Sequence, residues 1–490
     1  MTLRRHVRWW LIVPIALAFM LVLLVVGFRP GQYLRKSLGI KKRPNILILS
    51  FCSLRAEKLP FYETSKQNLA PNIEHAFSQG AFVFDSSVNT YSWTNINDSV
   101  WPLIPTKFQR EAGYFDLGEI SFGRSMRIPT AKTYTSRSRE HSLIQIRDQS
   151  YEKHFQKEFE FLADVLKEKM FSPFIGIAHV KYMHYPLIDK VNSDAKWDRY
   201  LTLEEKARLD EYFYHPAQYY VKLPLLLYLT GDVGFARSHP KIRAQYPHGN
   251  QIENLEVLGL LRDESLLQEW KDSKDFDLDL KIINKIYSAN ISYLDEKLSR
   301  LLRLLDDPEL VSNTVLIFTG DHGESFMEHG YFTHAVSPYQ ESYQVPLMIR
   351  FPGQKGVTHI TGQHSFLSVT QLIKEIMSGN VDERNFKVAE EQLEEKAIVQ
   401  RDCAQRFRGL RYENKWTWYA NVATGAESLF DIQADRAEIH DLVEKFPDVA
   451  SDLKGKYWTN RSKYIYQDPG ECGGQWLKEE GKGRRSRTGH

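Results

Sequence analysis

The segment FTGDHGESFMEHG, residues 318–330, sets an acidic residue beside an imidazole, Asp321-His322, between two glycines. A carboxylate and an imidazole on one tight turn can supply two metal ligands. That pair suits Zn²⁺, Mn²⁺ or Ca²⁺, with the choice left to the remaining ligands. The plainer alternative is that Asp321 caps a following helix and His322 sits on the surface. A second spot is ILILSFCSLR, residues 46–55, where an apolar run stops at Phe51-Cys52-Ser53. Open α/β sheets collect their ligands at strand ends, and here the strand end carries a thiol and a hydroxyl.

These residues need elements to hold them. Ile46 to Leu49 reads as a strand buried on both faces. Residues 71–84, PNIEHAFSQGAFVF, carry Ile73, Ala76 and Phe77 at helical spacing, then Gly80 and a second apolar strand. FIGIA, 174–178, is a third apolar run, leading into His179. Residues 280–305 form a helix with Ile283, Ile286, Tyr287, Ile291, Leu294, Leu298, Leu301 and Leu305 on one side. VLIFT, 315–319, is a strand that ends at Asp321-His322. Strands alternating with helices predict an α/β domain: a mostly parallel sheet flanked by helices on both faces.

The 490 residues carry a formal net charge of +2, which gives no reason to expect a nucleic-acid partner. Three cysteines, Cys52, Cys403 and Cys472, are too few and too scattered for a disulfide framework. Residues 1–8 are basic, and 9–28, WWLIVPIALAFMLVLLVVGF, are uncharged over the length of a transmembrane helix. The stretch is long for a signal peptide, so it is expected to remain as a membrane anchor. A basic linker at 29–43 follows. A catalytic domain is expected over 44–380, with a polar, weakly periodic insertion at 190–275 in the position of a lid. A C-terminal subdomain at 381–465 and a basic tail at 466–490 complete the chain. The positive charge after the anchor favours a cytoplasmic globular domain by the positive-inside rule.

Residues 287–353 resemble the sulfatase family of the alkaline phosphatase superfamily. YSANISYLDEKLSRLLRLL is similar to the family's helix before the metal-binding turn, NTVLIFTGDHGESFMEHG to that strand and turn, and YQESYQVPLMIRFPG to the strand after it. APNIEHAFSQGAFVFDSS, HSFLSVTQLIKEIMSG and ESLFDIQADRAEIHDLVEKFPDV extend the likeness on both sides. The resemblance implies a smaller C-terminal antiparallel sheet with a last helix. It also implies a divalent metal at Asp321 and His322, and a sulfate- or phosphate-ester substrate, such as a lipid head group or a glycan. Sulfatases draw a formylglycine from Cys/Ser-x-Pro-x-Arg, and no such motif occurs here. The corresponding region is Tyr91-Ser92-Trp93-Thr94-Asn95, similar to the Thr-using phosphoethanolamine and phosphoglycerol transferases, which makes Thr94 the candidate nucleophile and a metal contact. Thr94 is also a good helix N-cap, and the two roles are compatible. By the same resemblance His184, in YMHYP, and His334, in YFTHAVSPYQES, contact the anionic group, and one can protonate a leaving group. The resemblance places the globular domain on the periplasmic or extracellular side, against the charge bias.

One position departs from the family. The first strand of a sulfatase ends in a metal-binding Asp, and here Cys52 and Ser53 stand in that place. A Cys thiolate binds zinc and keeps the negative charge, so Cys52, Thr94, Asp321 and His322 could form a zinc site. Alternatively Cys52 packs as a small hydrophobe, and the protein is a degenerate, membrane-tethered binding module. Both readings stand on the sequence: a metal-dependent hydrolase or transferase, or a domain that keeps the fold without turnover.

Overall fold

The computed structural model of the chain describes residues 44–62, 68–90, 115–122, 143–145, 174–180, 182–188, 199–215, 218–245, 259–304, 306–402 and 406–464. The apolar run at 9–28, Thr94 and the tail at 466–490 lie outside them. Among the described residues no helix is long and apolar enough to cross a membrane.

Strand β1 (Asn45–Phe51) is buried along its whole length. Its side chains alternate between two cores, as the period of a strand requires. Ile46 and Ile48 belong to one cluster, while Leu47, Leu49 and Phe51 belong to the other. Helix α1 (Pro71–Ser78) opens on a proline and leads into β2 (Gly80–Val88). Strands β3 (Phe115–Phe122), β4 (Leu143–Gln145) and β5 (Phe174–Val180) follow.

Next comes a helical stretch that includes α2 (Leu203–Tyr214), α3 (Leu223–Thr230) and α4 (Glu264–Lys271). Sequence periodicity is weak here because the segment is cut into short helices. In α3, LPLLLYLT, Leu223 to Leu229 are all buried, so no polar face marks the turn of the helix. The long helix α5 (Phe276–Leu304) then packs Ile282, Ile283, Ile286, Tyr287, Leu294 and Leu298 onto the same core as Leu47, Leu49 and Phe51. Its Asp295 accepts hydrogen bonds from the backbone N–H groups of Asn72 and Ile73, at 3.0 and 2.8 Å, and so caps α1.

Strand β6 (Thr314–Gly320) is wholly buried, and its Phe318 stacks on Phe51 with ring centroids 4.6 Å apart. After β6 come β7 (Gln344–Val345), β8 (Leu347–Arg350) and β9 (Gly356–Ser365). Helices α6 (Phe366–Ser378) and α7 (Phe386–Leu393) cover the other face, with Val369, Leu372, Ile373 and Phe386 against Ile46, Ile48 and Ile317.

The large sheet runs β4-β3-β5-β1-β6-β8-β2-β7, with β9 on β2. It is mixed. β1 lies parallel to β5 and β6, β3 to β4 and β5, and β2 to β9, whereas β8 is antiparallel to both β6 and β2. The expected mostly parallel arrangement holds from β4 across to β6 and again between β2 and β9, and β7 and β8 are the strands that run the other way. The reversal arises because the chain leaves β6 and returns through β8 without crossing the sheet. A second sheet, β10 (Ala397–Arg401), β11 (Phe407–Tyr412), β12 (Trp416–Asn421) and β13 (Glu427–Asp431), is antiparallel throughout. Helix α8 (Pro447–Asn460) packs Ala450, Leu453 and Tyr457 against it.

Candidate active site

Strand β1 has β5 on one side and β6 on the other, with Phe51 level with both Val180 and Gly320. Three chains thus leave the sheet at one edge, and the residues that follow them meet there. Two backbone bonds extend the ladder: Cys52 N–H donates to Val180 O at 2.8 Å, and Asp321 N–H donates to Phe51 O at 3.0 Å. Ser53 then turns the backbone with φ of 58°, in the left-handed region. Tyr287 of α5 holds that turn, donating its hydroxyl to Ser53 O at 2.6 Å and accepting from Arg55 N–H at 3.0 Å.

The result is a three-residue cluster. Cys52 Sγ lies 3.5 Å from His322 Nε2, which lies 3.6 Å from Asp321 Oδ1. The three candidate ligand atoms are within 4.8 Å of one another, and all three residues are buried. His322 Nδ1 donates to Gly323 O at 2.7 Å, so the tautomer is fixed and Nε2 carries the lone pair that faces the other two ligands. Asp321 Oδ1 accepts from the backbone of His322 at 2.7 Å and of Ser53 at 3.3 Å. A thiol, a carboxylate and an imidazole nitrogen are a donor set suited to a divalent cation, zinc above all. Cys52 is as buried as a core residue, yet its sulfur faces His322. Gly323 is required by the turn: a Cβ there would stand 1.9 Å from Glu341 O.

His184 and His334 border this cluster. The His334 ring stacks on His322 with centroids 4.4 Å apart, and His184 meets His334 edge-on at 4.7 Å. His184 Nδ1 donates to Tyr185 O at 2.8 Å. Burial, reinforced by the His334 ring, pushes His184 down to about 3, and burial likewise holds His334 well below the ordinary histidine range. Both rings are therefore neutral near pH 7, and His184 keeps Nε2 as a lone pair.

Three further residues belong to the site, although sequence reasoning had not singled them out. Glu324, fully buried, lies with Oε1 and Oε2 at 3.2 and 3.3 Å from His334 Nδ1. Burial pushes its carboxyl up to about 7, against the pull of His322, His184 and the hydroxyls of Ser53 and Tyr228. Tyr228 stops short of a direct hydrogen bond. Arg262 donates from Nη2 to His334 O at 2.9 Å, and burial lowers it to about 10. Asn89, just past β2, donates to Asp321 O. Only Glu324 left a trace in the sequence, two residues past His322 in the same motif. Thr94 lies outside the described residues.

The Sulfatase family model matches residues 127–378, just over half of the chain, including His184, Asp321, His322, Glu324 and His334. Strand β1 with Cys52 precedes the matched stretch. Choline-sulfatase of Rhizobium meliloti (strain 1021) is 29% identical over 187 residues, which is 35% of this chain and 36% of that protein. The chain thus aligns with about a third of that relative's length. Among solved structures, a protein in complex with its substrate D-glucosamine-2-N,6-O-disulfate has a TM-score of 0.54 at 15% identity, covering 88% of this chain and all of that one. The phosphonate monoester hydrolase of Agrobacterium radiobacter has a TM-score of 0.53 at 14% identity, covering 86% and 96%. At such identities the likeness is one of fold, and the family model adds the kinship: the chain belongs to the sulfatase family.

Proposed function

We propose that the protein is a metal-dependent hydrolase of sulfate esters, with Thr94 as nucleophile in place of a formylglycine. The observation that carries this reading is the Cys52, Asp321 and His322 cluster at the carboxyl edge of β1 and β6, bordered by two neutral imidazoles. Cys52, Asp321 and His322 would hold the cation. Bound there, a divalent ion supplies positive charge toward the oxygens of a sulfate group. The named substrates of relatives, choline sulfate and a glucosamine disulfate, support a small sulfated metabolite or a glycan as the ester. Support for Thr94 comes from its closeness in sequence to Asn89, which touches Asp321.

In this reading a histidine Nε2 takes the proton of the Thr94 hydroxyl as oxygen attacks sulfur. It then returns the proton to the departing ester oxygen as the ester S–O bond breaks, which leaves the sulfuryl group on Thr94. Water next attacks that sulfur and gives a proton to the same nitrogen, which passes it to the leaving Thr94 oxygen, so that sulfate is released and the hydroxyl restored. His184 and His334 are the two candidates. The apolar run at 9–28 would tether the domain to a membrane, on the periplasmic or extracellular side.

The test is to assay the full chain, with and without added Zn²⁺ or Mn²⁺, on aryl sulfates, choline sulfate, sulfated glucosamine and model phosphodiesters. Sulfate release that disappears in Thr94→Ala supports the whole reading. Release that survives in Thr94→Ala removes Thr94 as nucleophile. Turnover of phosphodiesters alone would make the protein a phosphate-ester enzyme instead. The second reading, a binding module without turnover, is favoured by one observation, the Cys52 substitution at the first ligand position. It predicts no hydrolysis of any ester, and no bound metal after exposure to zinc.

A further inference from the structure

His334 is held on every side. It is 5% exposed, its ring stacks on His322 and meets the edge of His184, and its Nδ1 sits between the two oxygens of Glu324. Its carbonyl accepts from Arg262 at 2.9 Å, and Arg262 Nε reaches Thr333 Oγ1 at 3.5 Å. Thr333 and Ala335, on either side of it, have φ of 68° and 71°. Neither is glycine, so each left-handed backbone costs about 1 kcal/mol or more and persists only because the surroundings impose it. Glu324 adds a second expense, a fully buried carboxyl that faces the His334 imidazole at 3.2 Å with no lysine or arginine in an ion pair with it among the described residues. Fixing one ring this firmly serves its orientation, because neither the strained loop nor the buried acid stabilises the fold.

We propose that Glu324 is a positioning residue that acts through His334. Its carboxylate takes the Nδ1–H of His334 and so selects the tautomer whose Nε2 carries the lone pair. This rests on the sulfatase reading of the site, and it sharpens the part His334 plays. A neutral His334 so held accepts a hydrogen at Nε2, from a hydroxyl or a water, and donates to a sulfate oxygen only after it has taken up a proton. When it does, the O–H bond of the hydroxyl breaks, the Nε2–H bond forms, and the Glu324 carboxylate faces the imidazolium. Arg262 fixes the loop, not the tautomer.

The tautomer can be read without any turnover. In the full chain labelled with ¹⁵N-histidine, two-dimensional ¹H–¹⁵N spectra distinguish Nδ1–H from Nε2–H, and His334→Gln assigns the signal. We expect Nδ1–H in the wild type, in Glu324→Gln, whose amide oxygen still accepts, and in Arg262→Gln. Glu324→Leu should move the signal to Nε2–H. In an active enzyme Glu324→Leu should lower kcat about tenfold to a hundredfold with KM changed less than twofold, the range typical of removing a carboxylate that orients a histidine. Glu324→Gln should recover most of that loss. An Nε2–H tautomer in the wild type overturns the proposal, as does an unchanged Nδ1–H signal in folded Glu324→Leu. Nδ1–H in a protein that hydrolyses no ester would overturn the sulfatase reading and leave the positioning role standing.

Discussion

Two glutamates in this chain are both shielded from solvent, Glu324 the more deeply, and titrate in opposite directions. Glu205, in the first turn of α2, is 2% exposed, and Glu324 is fully buried. Burial alone would raise both. At Glu205 that push is outweighed by Lys285, whose Nζ lies 2.8 and 2.7 Å from the two oxygens, by the Thr202 N–H at 2.8 Å, and by Lys281. The carboxyl is held down at about 2. Glu324 has imidazoles and hydroxyls where Glu205 has ammonium groups, and it is pushed up to about 7. The first is a carboxylate whose charge the fold uses to tie α2 to α5. The second is a carboxylate whose charge the fold tolerates. Tolerated charge of that kind concentrates where a protein does chemistry, because a structure selected for stability alone would remove it.

The contrast is broken most severely by removing a group from the site and finding that stability falls while function does not. His322→Ala should lower sulfate release by at least about a hundredfold, the scale of losing one catalytic electrostatic partner. It should also release bound zinc, measured by metal analysis of the dialysed protein. Glu205→Gln should do the reverse. A depressed carboxyl contributes stability that is present above its unfolded pKa and lost as pH falls through the folded one. The variant should therefore lose about 2 kcal/mol at pH 7, and the gap should close as pH drops from about 4.5 toward 2. Urea titrations at several pH values measure it. Turnover should not change.

How much of this could be read beforehand varies with how local the signal is. Strands β1 and β6 are legible because both faces are buried, so ILIL and VLIF declare themselves without context. Helix α5 is legible because its apolar residues recur every three or four positions across many turns. Asp321 and His322 announce themselves as neighbours on a glycine-flanked turn, and Cys52 is conspicuous because a thiol ends a strand. By contrast, α3 has no polar face to set its period, since all of Leu223 to Leu229 is inside. The antiparallel β8 depends on a return path that no short stretch encodes. Arg262 reaches His334 across 72 positions of sequence, and Glu324 gains its meaning only from a ring ten residues away. Residues with ligand or proton-transfer chemistry are recognisable on their own. The residues that contact them are ordinary until the fold brings them together.

A finer measurement sharpens the same contrast on Glu324 alone. Its folded pKa lies above the unfolded value, so the folded chain binds the extra proton. The associated stability is fully present below about pH 4.5 and is lost as pH rises through about 7. Glutamine does not titrate and keeps an acceptor for the His334 ring. In chelator-treated protein, Glu324→Gln should match the wild type near pH 4.5 and exceed it by about 1–2 kcal/mol at pH 8.5, less than the pKa alone implies because one oxygen acceptor becomes a donor. The neighbouring histidines act in the opposite direction. A ring whose folded pKa is depressed, as at His184, makes the protein less stable as pH falls below about 6.5. Subtracting one stability curve from the other leaves Glu324 together with its coupling to His184 and His322. A difference that grows toward low pH would mean that the carboxylate is stabilised in the folded state, as at Glu205, and the distinction between the two glutamates would fall.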